Sequence, residues 1–169
     1  AVLEAIPASA RGDGLEVVVL DNVDPASVTA AIGSSDGSGL DDCCVNVVSK
    51  SGVTVETMAQ FAIVRERLVS RFRQDGYRER TVATTDPSGG TLHAHADRDG
   101  LRCLPVPAGV GGRFSVLSAV GLMPIAFSAI PETLAGYIHR LSGLPVSGQD
   151  VGPWKWFEFV SNGSATLVL

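Results

Sequence analysis

The chain has 169 residues, 45% of them apolar, enough for one globular domain with a full core and too few for two comfortable ones. Its formal net charge of −5, with no lysine-rich run, argues against nucleic acid or an anionic membrane surface as the main partner, so any anion site must be local. Cys43, Cys44 and Cys103 form no staple pattern, which points to a reducing compartment, the cytoplasm. Neither a signal peptide nor a membrane span is expected: the opening "AVLEAIPASARGDG" has no basic segment followed by an apolar one, and the apolar run 116–130 is broken by Ser118, Gly121, Pro124 and Ser128.

In chain order, "LEVVVLD" at 15–21 reads as a strand. "DPASVTAAIG" reads as a helix, with Asp24 as N-cap and Pro25 at the first helical position. "CCVNVV" at 43–48 is the second strand, and the long "TVETMAQFAIVRERLVSRFR" after it the second helix. On that helix Met58, Phe61, Ala62, Val69 and Phe72 form an apolar stripe, while Glu66, Arg67, Arg71 and Arg73 take other positions. "RTVATTD" at 80–86 is the third strand. "DPSGGTLHAHADRDG" is the third helical stretch, with Asp86 as N-cap and Pro87 at its first position, and "LRCLPV" at 101–106 is the fourth strand. The order βαβαβαβ predicts an open, mostly parallel α/β sheet with helices on both faces, a three-layer αβα sandwich. The domain is expected to span 1–130. Residues 131–169 form a divergent tail: a helix in "PETLAGYIHRLSG", a loop, and short strands in "WKWFEFV" and "ATLVL".

The loop "SKSG" at 49–52 leads from a strand end into a helix start, the place where open α/β sheets bind ligands. Unpaired N–H groups and the positive dipole end make an anion site, to which Ser49, Ser51 and Thr54 add hydroxyl donors; Gly52 permits close backbone approach. A phosphate fits better than a carboxylate, yet neither a Walker loop nor a G-x-G-x-x-G fingerprint is present, which disfavours nucleotides. The alternative is that Ser51 or Thr54 merely caps the helix. Glu56 either faces the same pocket or sits in the first helical turn because the dipole favours it. Further on, "GVGGRFS" at 109–115 sets glycines before Arg113, implying a tight backbone path that aims a guanidinium at a developing oxyanion. An arginine paired with a surface carboxylate is the alternative there. His93 and His95 are spaced two apart on a helix, so they make no metal pair, and no metal site is expected.

The pair "SKSGVTVET" at 49–57 and "GGRFSVLSAVGLMP" at 111–124 resembles the glucose-6-phosphate isomerase family, whose sugar-isomerase (SIS) domain carries "SKSGTT-x-ET" and "GGRFS" followed by "S-x-x-GL-x-P". "VLDNVDP" at 19–25 and "VATTDPSGGTL" at 82–92 look like its bacterial form. The resemblance implies an SIS-type fold and the glycolytic and gluconeogenic interconversion of glucose 6-phosphate and fructose 6-phosphate through an enediolate, without cofactor. It further implies that Ser49, Ser51 and Thr54 hold the 6-phosphate with Lys50, that Gly112 lies beside the sugar, and that Arg113 stabilises the enediolate. Val53 stands where the family has threonine, which removes a hydroxyl and is expected to lower phosphate affinity. Family members also carry an earlier serine- and glycine-rich sugar loop, a glutamate base, a ring-opening histidine and a lysine, none of which is identified here. "VSNG" at 160–163 offers no base where the family has "ESNG". The chain is therefore expected to be a segment or shortened member that lacks the general base, with dimerisation expected from the full-length family. The alternative is a non-catalytic SIS-type module that binds phosphosugar.

Overall fold

The computed structural model of the chain describes residues 16–33, 37–41, 43–128 and 165–168. Five strands, β1 (Glu16–Val19), β2 (Cys43–Val48), β3 (Thr81–Thr85), β4 (Arg102–Pro105) and β5 (Ala165–Val168), form one sheet in the order β1-β5-β2-β3-β4. Every pairing is parallel. The helices are α1 (Pro25–Ile32), α2 (Val55–Arg80), α3 (Thr91–Asp99) and α4 (Ala119–Ser128). The expected βαβ order is therefore present. The helix and "WKWFEFV" strand expected within 131–160 lie outside the described residues, as do residues 1–15.

The topology explains the layers. From β1 to β2, β3 and β4 the chain steps across the sheet in one direction, so right-handed crossovers lay α1, α2 and α3 on the same face. The return from β4 to β5 runs the opposite way, and the same rule carries α4, which touches β1 and β5, over the other face. Register separates the two faces. Val47, Ala83 and Cys103 stand in one row and belong to the core with Val45, Phe61, Val64, Leu68, Tyr77, Leu92 and Ala96. Asn46, Val82 and Thr84 point the other way and are also buried.

Local chemistry sets most element ends. Asp24 caps α1 as expected, accepting from the Ser27 N–H at 2.9 Å and the Ser27 hydroxyl at 2.6 Å, with Pro25 in the first turn. These bonds, the hydroxyl's first, hold its carboxyl below the usual range. α2 differs from expectation: it continues past Arg73 to Arg80, so the strand read from residue 80 begins at Thr81. Its backbone breaks at Arg73 (φ 62°, ψ −177°), where two helical segments meet. α3 begins at Thr91 rather than beside Asp86. Asp86 instead closes a turn, its Oδ1 accepting from the Ser88 N–H at 2.9 Å and hydroxyl at 2.5 Å.

One buried polar pair joins the central strands: the Thr84 hydroxyl donates to Asn46 Oδ1 at 2.7 Å, and both residues are fully buried. Thr84→Val keeps the shape but leaves that oxygen without its donor. It is expected to cost about 1–2 kcal/mol in urea unfolding, and an unchanged midpoint would refute the pairing's importance.

Candidate functional site

Three loops meet at the carboxyl end of the sheet, each following one of the strands β2, β3 and β4. They enclose a cleft of about 550 Å³ lined by Lys50, Ser51, Thr54, Asp86, Ser88, Gly89, Gly90 and Gly112. Backbone pairing continues past the strands and sets the loops in place. Ser49 N–H donates to Thr84 O at 3.1 Å, Val106 N–H to Thr85 O at 2.8 Å, and the Lys50 carbonyl accepts from Asp86 N–H and the Thr85 hydroxyl.

Glycine is required at two points. Gly52 has φ +68°, and a Cβ there would lie 2.1 Å from the Leu92 backbone nitrogen. Gly90 has φ +104°, and its Cβ would lie 2.8 Å from Ser51 O. At Gly52 the backbone closely approaches the start of α3. This approach brings the beginnings of α2 and α3 to one cleft.

Neither helix start is capped by a side chain. Thr54 is the N-cap residue of α2, yet its hydroxyl makes no capping bond and pairs with Ser49 Oγ at 3.2 Å. Gly90, the N-cap of α3, has no side chain to offer. The capping alternative therefore fails for Thr54. Two uncapped helix starts, with the hydroxyls of Ser51 and Thr54 beside them, form an environment suited to an anion rich in acceptor oxygens.

Not every expected residue lines the cleft. Ser49 is buried, and its hydroxyl accepts from Gly52 N–H at 3.1 Å, so it shapes the loop from behind. Lys50 lines the cleft, but its ammonium is turned to three backbone carbonyls of the loop after β4. Glu56 is exposed in the first turn of α2 and is not among the lining residues, which fits the dipole alternative. Val53 is 64% exposed and is not among the lining residues.

Gly112 opens the 3-10 turn Gly112–Leu117, which carries Arg113. Phe114 N–H donates to Gly111 O at 2.9 Å and the Ser115 hydroxyl to Gly112 O at 2.6 Å, fixing the turn's backbone. The tight path expected of these glycines is absent. A Cβ at Gly109 or Gly112 would meet nothing within 4 Å, and neither residue has positive φ. What the missing side chain at Gly112 provides is open space on the cleft.

Sequence reasoning missed the whole third wall: Asp86, Ser88, Gly89 and Gly90. The available signal was a Gly-Gly pair between a strand and a helix, a mark of close backbone approach rather than of helix. Asp86 is held below the usual carboxylate range by the Ser88 hydroxyl and N–H, with smaller help from the charges of Lys50 and His93. His93 Nε2 faces Asp97 Oδ2 at 3.3 Å, while His95 Nδ1 lies 2.6 Å from Arg98 Nη2, so the two rings have separate partners. Among the described residues no group of three His, Cys, Asp or Glu side chains could hold a metal. The three cysteines are free, and burial pushes the thiols of Cys44 and Cys103 up, away from thiolate chemistry. No described helix is long and apolar enough to cross a membrane.

Comparison with known proteins gives the family of the chain. The family model described as phosphoglucose isomerase matches residues 1–139. A glucose-6-phosphate isomerase of Rubrobacter xylanophilus is 47% identical over 77% of this chain and 30% of its own length. A probable glucose-6-phosphate isomerase of Haloarcula marismortui is 52% identical over 67% of this chain and 24% of its own. The crystal structure of a hypothetical protein from Thermus thermophilus is 44% identical, with TM-score 0.58, over 64% of this chain and 25% of that one. The match thus spans less than a third of each relative. With the family model covering most of its length, the chain belongs to the phosphoglucose isomerase family.

Proposed function

We propose that the cleft is part of the hexose-phosphate site of a glucose-6-phosphate isomerase, acting in glycolysis and gluconeogenesis in the cytoplasm. The observation that carries this reading is the convergence of two uncapped helix starts and the Ser51 and Thr54 hydroxyls opposite the open face of Gly112. The 6-phosphate would accept from those hydroxyls and helix-start N–H groups, binding the substrate at its unreactive end. Gly112 leaves room for the sugar carbons, and Arg113, next in the chain, would oppose the negative charge that an enediolate spreads over the C1 and C2 oxygens.

Isomerisation moves a proton between C2 and C1 and needs a base of near-neutral pKa. Asp86 is the one carboxylate among the cleft's lining residues, and the hydrogen bonds it accepts from Ser88 move its carboxyl down, away from the near-neutral range. Among the described residues we assign no base. Two copies completing each other's sites are part of the same proposal, following the family resemblance.

A titration with fructose 6-phosphate, read by amide NMR, tests the reading. Saturable shifts at residues 51–54 and 111–113 are expected, with weaker shifts from inorganic phosphate and none from fructose. Thr54→Val should weaken binding by about tenfold through loss of one hydrogen bond to a charged oxygen. No response at millimolar sugar phosphate would overturn the reading. Saturable binding together with turnover that Arg113→Ala abolishes would locate a base in the working assembly, whereas binding without turnover would leave a phosphosugar-binding module.

A further inference from the structure

The resemblance assigns the Lys50 ammonium to phosphate, but its geometry favours another task. Nζ donates to Ala108 O and Val110 O at 2.7 Å and to Pro107 O at 3.3 Å. An ammonium has three N–H donors and no acceptor, so these carbonyls take all three. They belong to the segment between β4 and the Gly112 turn, which also closes on itself through Val110 N–H donating to Pro107 O at 3.0 Å. Carbonyl oxygens turned toward one point repel one another, and a cation at that point holds them together. The other end of the residue is fixed as well: the Lys50 carbonyl accepts from the Thr85 hydroxyl and the Asp86 N–H. One residue therefore ties together the loops after β2, β3 and β4.

We propose that Lys50 is a positioning residue, whose ammonium straps the 107–110 segment to the loop after β2 and thereby sets where Gly112 and the Arg113 backbone stand over the cleft, instead of ligating phosphate. Its value to catalysis rests on the hexose-phosphate reading; the strap itself does not. Phe114 N–H to Gly111 O and the Ser115 hydroxyl to Gly112 O continue the connection into the 3-10 turn. Residue 110 joins this turn through Gly111 alone, so a displacement of the 107–110 segment is expected to reach residues 112 and 113.

The chain contains two lysines, Lys50 and Lys155, so its ammonium groups can be followed individually by nitrogen-15 NMR. In the ligand-free wild-type chain the Lys50 ammonium is expected to exchange its protons slowly and to keep its resonance position when inorganic phosphate is added. In Lys50→Met the amides at 110–112 should shift and exchange at the Phe114 amide should rise about tenfold, while phosphate affinity changes less than about threefold. An ammonium that exchanges like free lysine, or one that slows or moves only when phosphate arrives, would overturn the proposal. So would a Lys50→Met chain with unchanged 110–114 amides and phosphate affinity lowered about tenfold or more. The wild-type measurement decides the matter even where Lys50→Met does not fold. A locked ammonium in a chain whose Ser51 and Thr54 amides ignore both phosphate and fructose 6-phosphate would support the strap and overturn only the hexose-phosphate reading.

Discussion

Gly52→Ala is expected to lower stability by about 3 kcal/mol and to abolish the fructose 6-phosphate binding proposed above. Two separate costs add. The left-handed backbone at φ +68° costs an alanine about 1–2 kcal/mol. The new Cβ would also fall 2.1 Å from the Leu92 nitrogen and 2.9 Å from its Cβ, and Leu92 is fully buried, so the start of α3 must move. Such overpacking costs a further 1–3 kcal/mol or so. Because α3 starts at a wall of the cleft, the displacement reaches the site as well as the core. Gly112→Ala is the matched control. Its Cβ would meet nothing within 4 Å and its φ is not positive, so urea unfolding should change by less than about 0.5 kcal/mol. That methyl would stand on the cleft lining, however, and the sugar-phosphate binding proposed above should weaken. Equal unfolding midpoints for wild type and Gly52→Ala would show that the α3 contact is not what requires glycine.

Where the sequence was legible, one physical signal dominated. Strand β2 is legible to both ends because a run of cysteine and valine broken only by Asn46 is what a strand buried on both faces demands. The cap on α1 was equally plain, since Asp-Pro fixes both the acceptor and the first φ. The loop after β2 could be recognised from its hydroxyls and its place between strand and helix, and four of the seven expected site residues belong to a cleft: Lys50, Ser51, Thr54 and Gly112.

The failures share a cause: they depend on what another segment does. The second half of α2, "QDGYRER", has only Tyr77 as a buried apolar residue, so periodicity ends near Phe72 although the helix continues. Asp-Pro at 86–87 has the same local signature as at 24–25. There, however, Gly90 must first let the chain pass Ser51 O, and the helix waits until Thr91. "ATLVL" reads as a strand, but nothing local states that Ala165–Val168 inserts between β1 and β2, because strand order is set by long-range pairing. The direction of the Lys50 ammonium is a similar case, since its acceptors are 57 to 60 residues away.

Asp99 is expected to give the fold its steepest acid sensitivity. It lies at the carboxyl end of α3, where the helix dipole opposes a negative charge, and its side chain is only 5% exposed. Burial alone would push its carboxyl up. The hydrogen bonds from Arg65 (Nε, 2.7 Å) and Arg98 (Nε, 3.0 Å), with the Tyr77 hydroxyl at 3.2 Å, outweigh it and hold the group at about 2. Burial first, then the Asp99 charge and its hydrogen bond, push the Tyr77 phenol well above its ordinary range, against a smaller opposite pull from Arg65. Arg65 lies before the break at Arg73 and Tyr77 after it, and Arg78 Nε donates to the Asp99 carbonyl at 2.7 Å. One carboxylate therefore joins both segments of α2 to α3. A carboxyl depressed from 3.8 to about 2 adds stability that is complete above the unfolded value and is lost as pH falls through the folded one, so the melting temperature should drop between roughly pH 4 and pH 2. Asp99→Asn should remove most of that slope. At pH 7 it should cost about 2–3 kcal/mol, or very roughly 6–10 °C, below the cost of breaking a fully buried pair because the Arg65 and Arg98 side chains are 34% and 60% exposed and water screens them. Thermal scans of both proteins from pH 2 to pH 7 decide it: parallel curves would mean that the clamp is held by Tyr77 packing and backbone contacts, with the charge contributing nothing.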